Sequence, residues 1–250
     1  MFSDKSNKYV FHHLGEVATE IYPITATTEL QYEWVKKIRE LKRSDEDPLF
    51  KQTFAHICSG LTGIKRQGWV IRAWHDVMIT TNGDGKSFQW NTPAKMESPL
   101  PDPPIGCFDS EQYADHVDFP HETSLKTLIK FHTGWRYHAP KGWGLMMINL
   151  DYTEENRFTV YAGVLEPKRS TEVNVLVRWH VKNGQELIKA GTPLAQLIPV
   201  KIKDTPDFLV RKSNDKEIEF GNLQNELISV SFDRREFAKV LARVHEKFFG

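Results

Sequence analysis

The sequence runs to 250 residues, with Lys plus Arg and Asp plus Glu balanced at 33 each, 40% of it hydrophobic and 12% aromatic. That length can bury the core of one large β domain, and the zero net charge removes the single-sign field that generic DNA binding or an anionic membrane surface requires. No apolar run approaches the roughly 20 residues that span a bilayer, and two cysteines, Cys58 and Cys107, in a chain without a signal peptide predict a soluble protein with reduced thiols in a cytoplasm.

Residues 1–8 are polar, and Tyr9-Val10-Phe11-His12-His13-Leu14 reads as a strand. Thr27 or Thr28 can cap a helix over 28–43, because Leu30, Trp34, Ile38 and Leu41 recur at spacings of four, four and three. Its last turns gather Lys36, Lys37, Arg39, Lys42 and Arg43, where the helix dipole favours cations.

Residues 57–90 read as a first β-hairpin region. Trp69 to Thr81 alternates as one strand, with Val70, Arg72, Trp74, Asp76 and Met78 on one face, and Asn82-Gly83-Asp84-Gly85 turns it into Ser87-Phe88-Gln89-Trp90. Arg72, Trp74 and Asp76 on one face make a candidate ligand-binding pocket, polar with an aromatic wall; the plainer reading pairs Arg72 with Asp76 at the surface.

Residues 91–125 carry Pro93, Pro99, Pro101, Pro103, Pro104 and Pro120, too many missing donors for a central strand. A long loop is expected, either a lid over a site or simply mobile. It holds His116-Val117-Asp118, two metal ligands at His-x-Asp spacing, and His180 on a later strand supplies a third. That set is the facial triad of a non-haem Fe(II), 2-oxoglutarate-dependent oxygenase, also a jelly roll, with Lys189 or Arg178 left to meet the co-substrate carboxylate. Ten histidines and many acids also match such a set by chance, and outside this alternative no cofactor is implied.

Residues 126–139 alternate as a strand up to Gly134, after which Trp135 and Tyr137 share a face. Trp135 joins Trp69, Trp74, Trp90, Trp143 and Trp179 as aromatics that either stack a base or sugar or fill the space between sheets. In the strand Leu145 to Leu150, the adjacent Met146 and Met147 point to opposite faces as core filler. Glu172 to His180 and Gln185 to Ile188 alternate around Lys182-Asn183-Gly184, a hairpin signal, and a turn at Ala190-Gly191-Thr192-Pro193 opens a third strand, Leu194 to Ile198. Gly68-Trp69 and Gly142-Trp143, each followed by an aspartate (Asp76, Asp151), hint at two related β halves. Asp204 to Asn225 reads as irregular and Leu227 to Val230 as a short strand. Phe237, Val240, Leu241, Val244 and Phe248 form the stripe of a terminal helix over 233–249, expected to pack on its own sheet or on a neighbouring subunit.

Ala162-Gly163-Val164-Leu165-Glu166 and Gly191-Thr192-Pro193-Leu194-Ala195-Gln196-Leu197 resemble the third and fourth motifs of dUTPases and dCTP deaminases. Pro140-Lys141-Gly142-Trp143 resembles the turn before that superfamily's phosphate-binding motif, so the resemblance spans residues 140–200. It implies a mainly β fold of β-clip or jelly-roll sandwich type over 1–250 as a single domain, with one helix near the N-terminus and one at the end. It also implies a trimer as the homo-oligomer, a small or nucleotide-like ligand, ligand contacts from Trp143 and Gln196, and Glu166 at the catalytic base position.

The departures are specific. Glu166 replaces an aspartate, Arg169 stands where a tyrosine underlies the deoxyribose, Ser170-Thr171 replaces Arg-Gly, and Leu150-Asp151 falls where an Arg-Ser pair holds phosphate. A carboxylate there repels an anion, and no magnesium motif precedes it. Lys168 and Arg169 beside Glu166 suit an ion-paired clamp on the turn more than a tuned base. The overall plan also resembles a family of uncharacterised tailed-phage proteins, over Ile57-Cys58 through Lys65, Gly68-Trp69-Val70-Ile71 and Asp76, and again from Gly142-Trp143 to Pro199. The expectation is a phage-type protein in the host cytoplasm that binds a small ligand or a partner on a dUTPase-like scaffold, without dUTPase activity. The alternatives are the oxygenase and a structural or host-interaction protein with no small-molecule site.

Overall fold

The computed structural model describes residues 7–37, 58–92, 103–202, 208–229 and 234–248. The chain divides into two compact units, Met1–Asp204 and Thr205–Gly250. The first is mainly β. In chain order its strands are β1 (Val10–His12), β2 (Thr25–Ala26), β3 (Trp69–Arg72), β4 (Val77–Asn82), β5 (Phe88–Asn91), β6 (Ile105–Phe108) and β7 (Leu128–Phe131). There follow β8 (Arg136–His138), β9 (Trp143–Ile148), β10 (Phe158–Val160), β11 (Gly163–Leu165), β12 (Val175–Trp179), β13 (Asn183–Ile188) and β14 (Pro193–Lys201). They form four antiparallel sheets, ordered β1-β8, β10-β12-β7-β6, β11-β9-β14-β3-β2 and β13-β4-β5.

The five-stranded sheet is built on β14, which pairs with β9 from Gln196↔Ile148 to Lys201↔Trp143 and with β3 from Pro193↔Arg72 to Leu197↔Trp69. Pro193 opens the strand, as expected, and a register shift follows between Pro193 and Ala195. Leu194, Ala195, Gln196 and Leu197 are all buried, the continuous pattern of a strand covered on both faces. Both flanking strands begin with the Gly-Trp pairs seen in the sequence, and both glycines have positive φ, +68° at Gly68 and +82° at Gly142. At Gly68 a Cβ would lie 1.8 Å from the Leu197 carbonyl oxygen, so that approach requires glycine.

The Asn82–Gly85 turn forms the β4–β5 hairpin as predicted. Asp84 Oδ1 accepts the Lys86 and Ser87 amides at 2.7 Å each, and the hydrogen bonds with Ser87 and Lys86 hold its carboxyl at about 2. The single strand expected over 69–81 instead splits into β3 and β4, which belong to different sheets. The break is the buried segment Ala73-Trp74-His75. Ala73 donates to Thr192 O (2.9 Å) and accepts from Gly191 N (2.7 Å), so the 189–192 turn captures the backbone that would have continued the ladder.

The hairpin expected around Lys182-Asn183-Gly184 does not form. β12 pairs with β10 and β7, while β13 pairs with β4 from Asn183↔Asn82 to Ile188↔Val77. Thr81 Oγ1 donates to Val181 O (2.9 Å) and Gly83 N to Lys182 O (2.8 Å), so the chain is taken over by β4 before it can turn back on itself. The Pro-rich stretch is also not wholly loop: no proline falls between Pro104 and Pro120, and Ile105–Phe108 pairs with β7 as β6. Residues 93–102 of that loop lie outside the described residues.

Near the N-terminus the helix expected over 28–43 is replaced at its start by a 3₁₀ turn, Thr27–Glu29, with Leu30 extended, and helix is present at 33–37. Residues 38–43 lie outside the described residues. Thr27 is not a cap, because its hydroxyl donates to Gln67 O at 2.6 Å. Two short helices, α1 (Glu16–Glu20) and α2 (Ser59–Ile64), complete the unit.

The second unit holds α3 (Asp215–Ser229) and α4 (Arg234–Phe248), so the C-terminal part carries two helices where one was expected. Residues 208–214 are irregular as expected, while α3 replaces the rest of that stretch from Asp215 and the short strand read at Leu227 as far as Ser229. Its start is a reciprocal cap, with Asn214 Oδ1 accepting Glu217 N and Glu217 Oε2 accepting Asn214 N, each at 2.9 Å. α4 matches the predicted helix and buries Val240 and Val244. It packs on α3 with Arg243–Glu226 and Lys247–Glu219 pairs. Among the described residues no helix is long and apolar enough to cross a membrane.

Candidate functional site

Two of the three segments that carried the superfamily resemblance, Pro140–Trp143 and the one ending at Glu166, meet at one cleft; the Gly191–Leu197 segment does not line it. β9 and β11 pair through Leu145↔Leu165, which brings the Pro140–Trp143 turn against the Glu166-Pro167-Lys168 turn. Gly144 permits the approach, since a Cβ there would meet Leu165 O at 2.6 Å and Ile202 Cδ1 at 2.5 Å. The turns are fixed by Trp143 N to Pro140 O (3.0 Å), Ile202 N to Gly142 O (2.9 Å) and Arg169 N to Glu166 O (2.9 Å). Two phenols brace the floor, Tyr9 donating to Gly144 O (2.9 Å) and Tyr137 to Leu165 O (2.7 Å). Burial pushes both phenols up to about 12, so they remain protonated donors at neutral pH.

The resulting cleft encloses about 390 Å³, within the range of small-ligand sites. Trp143, Pro140, Pro167 and Ile202 give it apolar walls, and the exposed residues Lys141 and Lys168 are also among its lining. Its carboxylate, Glu166, lies 3.3 Å from Arg169 Nε. Because Arg169 is 86% exposed, the pair is a screened surface clamp on the turn, the geometry expected from the neighbouring cations. Pro167, Lys168 and Ile202 were not read from the sequence as ligand contacts, Lys168 being noted only as a cation beside Glu166. The signal for the first two was their position immediately after Glu166; Ile202 carries no local signal.

The remaining sequence candidates are placed elsewhere. Arg72 Nη1 donates to Gly191 O (3.2 Å) and Asp76 Oδ1 accepts Ala190 N (2.7 Å), so both hold the 189–192 turn and neither forms the expected Arg72–Asp76 pair. Trp74 and Trp135 are buried core residues on either side of His13, at ring distances of 5.4 and 5.3 Å. Gln196 is buried, and its Nε2 donates to Ile64 O (2.8 Å) and Gln67 O (2.7 Å), which occupies both amide hydrogens. Asp151 accepts from Asn149 Nδ2 at 2.7 Å.

The metal candidates His116, Asp118 and His180 are not brought together. His116 Nε2 bonds Glu111 O at 2.7 Å, while the two ring nitrogens of His180 are taken by Ser124 Oγ (3.0 Å) and Thr159 Oγ1 (2.7 Å). Among the described residues no group of three or more His, Cys, Asp or Glu side chains is arranged to hold a metal ion.

No protein-family model and no curated protein matches the chain. Solved structures similar to it are dUTPases. That of Staphylococcus bacteriophage 80alpha, solved with dUpNHpp, is 9% identical over 84% of this chain and 91% of its own, with a TM-score of 0.37. The dUTPase from phage phi11 of S. aureus is 11% identical over 84% and 99%, at a TM-score of 0.35. The EIAV dUTPase is 9% identical over 59% and 86%, at 0.31. At such scores no residue of this chain is matched to a residue of those enzymes, and the functional reading rests on the cleft itself.

Proposed function

We propose that the Trp143 cleft binds a small ligand with a flat ring and an anionic tail, a nucleotide-like molecule, without hydrolysing dUTP. The observation that supports this is the convergence of an aromatic wall, two prolines and two lysines on about 390 Å³, with the cleft's carboxylate already paired to Arg169. A ring stacked on Trp143 gains about 1–3 kcal/mol, and Lys141 and Lys168 supply point charges for phosphate. A carboxylate held by an exposed arginine in a turn is a poor choice of general base.

Titration with dUMP, dUTP and AMP, followed by calorimetry, tests the reading. Binding that Trp143→Ala removes and Lys141→Glu weakens, with no pyrophosphate release from dUTP in magnesium, is the expected result. Robust dUTP hydrolysis, or nucleotide binding indifferent to Trp143, refutes it. The trimer implied by the resemblance is proposed alongside, and light scattering reads it directly.

A further inference from the structure

A second feature lies away from that cleft. Lys65, just after α2, places its Nζ 4.1 Å from the ring centroid of Tyr32, 4.1 Å from that of Trp34 and 5.6 Å from that of Tyr152. The rings are pinned: Trp34 Nε1 donates to Tyr152 O at 2.8 Å, and Lys37 pairs with Glu154 at 3.6 Å. Tyr152 holds φ +65°, the one non-glycine residue with positive φ among the described residues. For a bulky side chain that conformation is strained, and it persists where the surroundings impose it.

The three rings line a hollow of about 600 Å³ whose other walls include Arg157 and the carboxylates of Glu33, Glu154, Glu155 and Glu186, which pair with Lys36, Lys37 and Arg157. The ring faces themselves are the surface that attracts an organic cation. Lys65 is an imperfect occupant. Its ammonium carries three donors, none of which meets a hydrogen-bond acceptor or carboxylate among the described residues, and burial pushes its pKa down. Each methyl added to an ammonium removes one N–H and spreads the charge, and a quaternary ammonium has no N–H left to satisfy, which suits ring faces better. Lys65 itself lines a separate hollow of about 600 Å³ with Thr62 and Arg66, so its stem has space into which to withdraw.

We propose that Tyr32, Trp34 and Tyr152 form a recognition site for quaternary or methylated ammonium ligands, and that Lys65 fills this site until such a ligand displaces it. Choline chloride is the probe, with the neutral isostere 3,3-dimethyl-1-butanol as control. By calorimetry Lys65→Met should bind choline about tenfold more tightly than the wild-type chain, and about tenfold more tightly than it binds the neutral isostere. Adding Trp34→Ala should abolish binding. In the wild-type chain, NMR should show the ring-shifted ε-methylene protons of Lys65 moving to their ordinary position as choline is added. That readout holds even if the Lys65 variant fails to fold. Equal binding of the neutral isostere, or choline that neither binds folded Lys65→Met nor shifts the wild-type Lys65 signal, overturns the proposal.

Discussion

Replacing Gln196 with Leu measures how much of the fold depends on one buried amide. Gln196 is 3% exposed in β14, and its two donated bonds tie the strand to the turn that precedes β3. Each acceptor keeps a second donor, since Gln67 N reaches Ile64 O at 3.1 Å and Thr27 Oγ1 reaches Gln67 O at 2.6 Å. Leucine therefore removes two bonds without stranding either carbonyl, a loss of about 2 kcal/mol at roughly 1 kcal/mol per net bond. Thr27→Val alone should cost about 1 kcal/mol by the same rule. Together the substitutions leave Gln67 O with no side-chain donor, so the double variant should exceed the sum by about 1 kcal/mol. Urea unfolding monitored by tryptophan fluorescence gives all four corners of the cycle. A Gln196→Leu cost below about 0.5 kcal/mol, or strict additivity, would refute the reasoning. Loss of nucleotide binding with stability intact would instead return Gln196 to the ligand-contact role that the resemblance implied.

Gly68→Ala should destabilise by about 3 kcal/mol or more, because it combines a left-handed backbone with a Cβ 1.8 Å from Leu197 O. Gly60→Ala in α2, where a Cβ meets nothing within 4 Å, should leave thermal stability unchanged or raise it by up to about 1 kcal/mol; a similar effect at both sites would be inconsistent with the packing at Gly68. Glu166→Gln loses one screened pair and should lower stability by about 0–1 kcal/mol while leaving nucleotide affinity unchanged, and a lost activity at an unchanged melting temperature would restore the catalytic reading. Desolvation lowers the pKa of His12, His13, His75 and His180 from the ordinary 6.5. The pKa of His13, for one, is lowered by burial against the opposing contacts of its ring nitrogens with Gly15 and Thr133 O (3.1 Å). A depressed folded-state pKa gives stability that is complete above the unfolded value and falls as pH drops below it. The melting temperature should thus decline from pH 7 to pH 5, and a flat profile there would count against it.

Signals local to a turn could be read from the sequence, and signals that depended on a distant partner could not. Asn82–Gly85 and Gly191-Thr192-Pro193 carry their backbone requirements in adjacent residues, and both turns are where they were expected. Lys182-Asn183-Gly184 has the same chemistry, but its carbonyls are claimed by a strand 100 residues away, and nothing local announces that competition. The alternation through Arg72, Trp74 and Asp76 was genuine up to Arg72; it ended because the 189–192 turn needed Ala73 and Asp76 as partners. α3 was missed because its polar sequence shows a weak apolar stripe, although the Asn214–Glu217 cap was a legible start. Trp143 was visible through its turn, whereas Ile202 reaches the same cleft only through the pairing of β14 with β9. The ring box around Lys65 draws on three separate segments, a grouping that no spacing rule detects.

The two Gly-Trp pairs show why the ligand is sought at one tryptophan and not the other. Each glycine turns the chain with positive φ into a strand beside β14, and each tryptophan opens that strand, Trp69 opposite Leu197 and Trp143 opposite Lys201. The backbone task is the same, but the rings have different company. Trp69 packs against Tyr9 at 5.1 Å and Phe11 at 5.2 Å, while among the described residues no ring stacks on Trp143, which faces the cleft. Truncation should separate them. Trp69→Ala opens a cavity beside the core and should cost about 3 kcal/mol, the low end for a tryptophan because the ring is only partly buried. Trp143→Ala truncates a partly buried ring that is not packed against the core cluster and should cost less than Trp69→Ala, about 1–2 kcal/mol, while removing nucleotide binding. Equal costs at the two positions would mean that Trp143 is a packing residue like Trp69, and the cleft would lose its recognition surface.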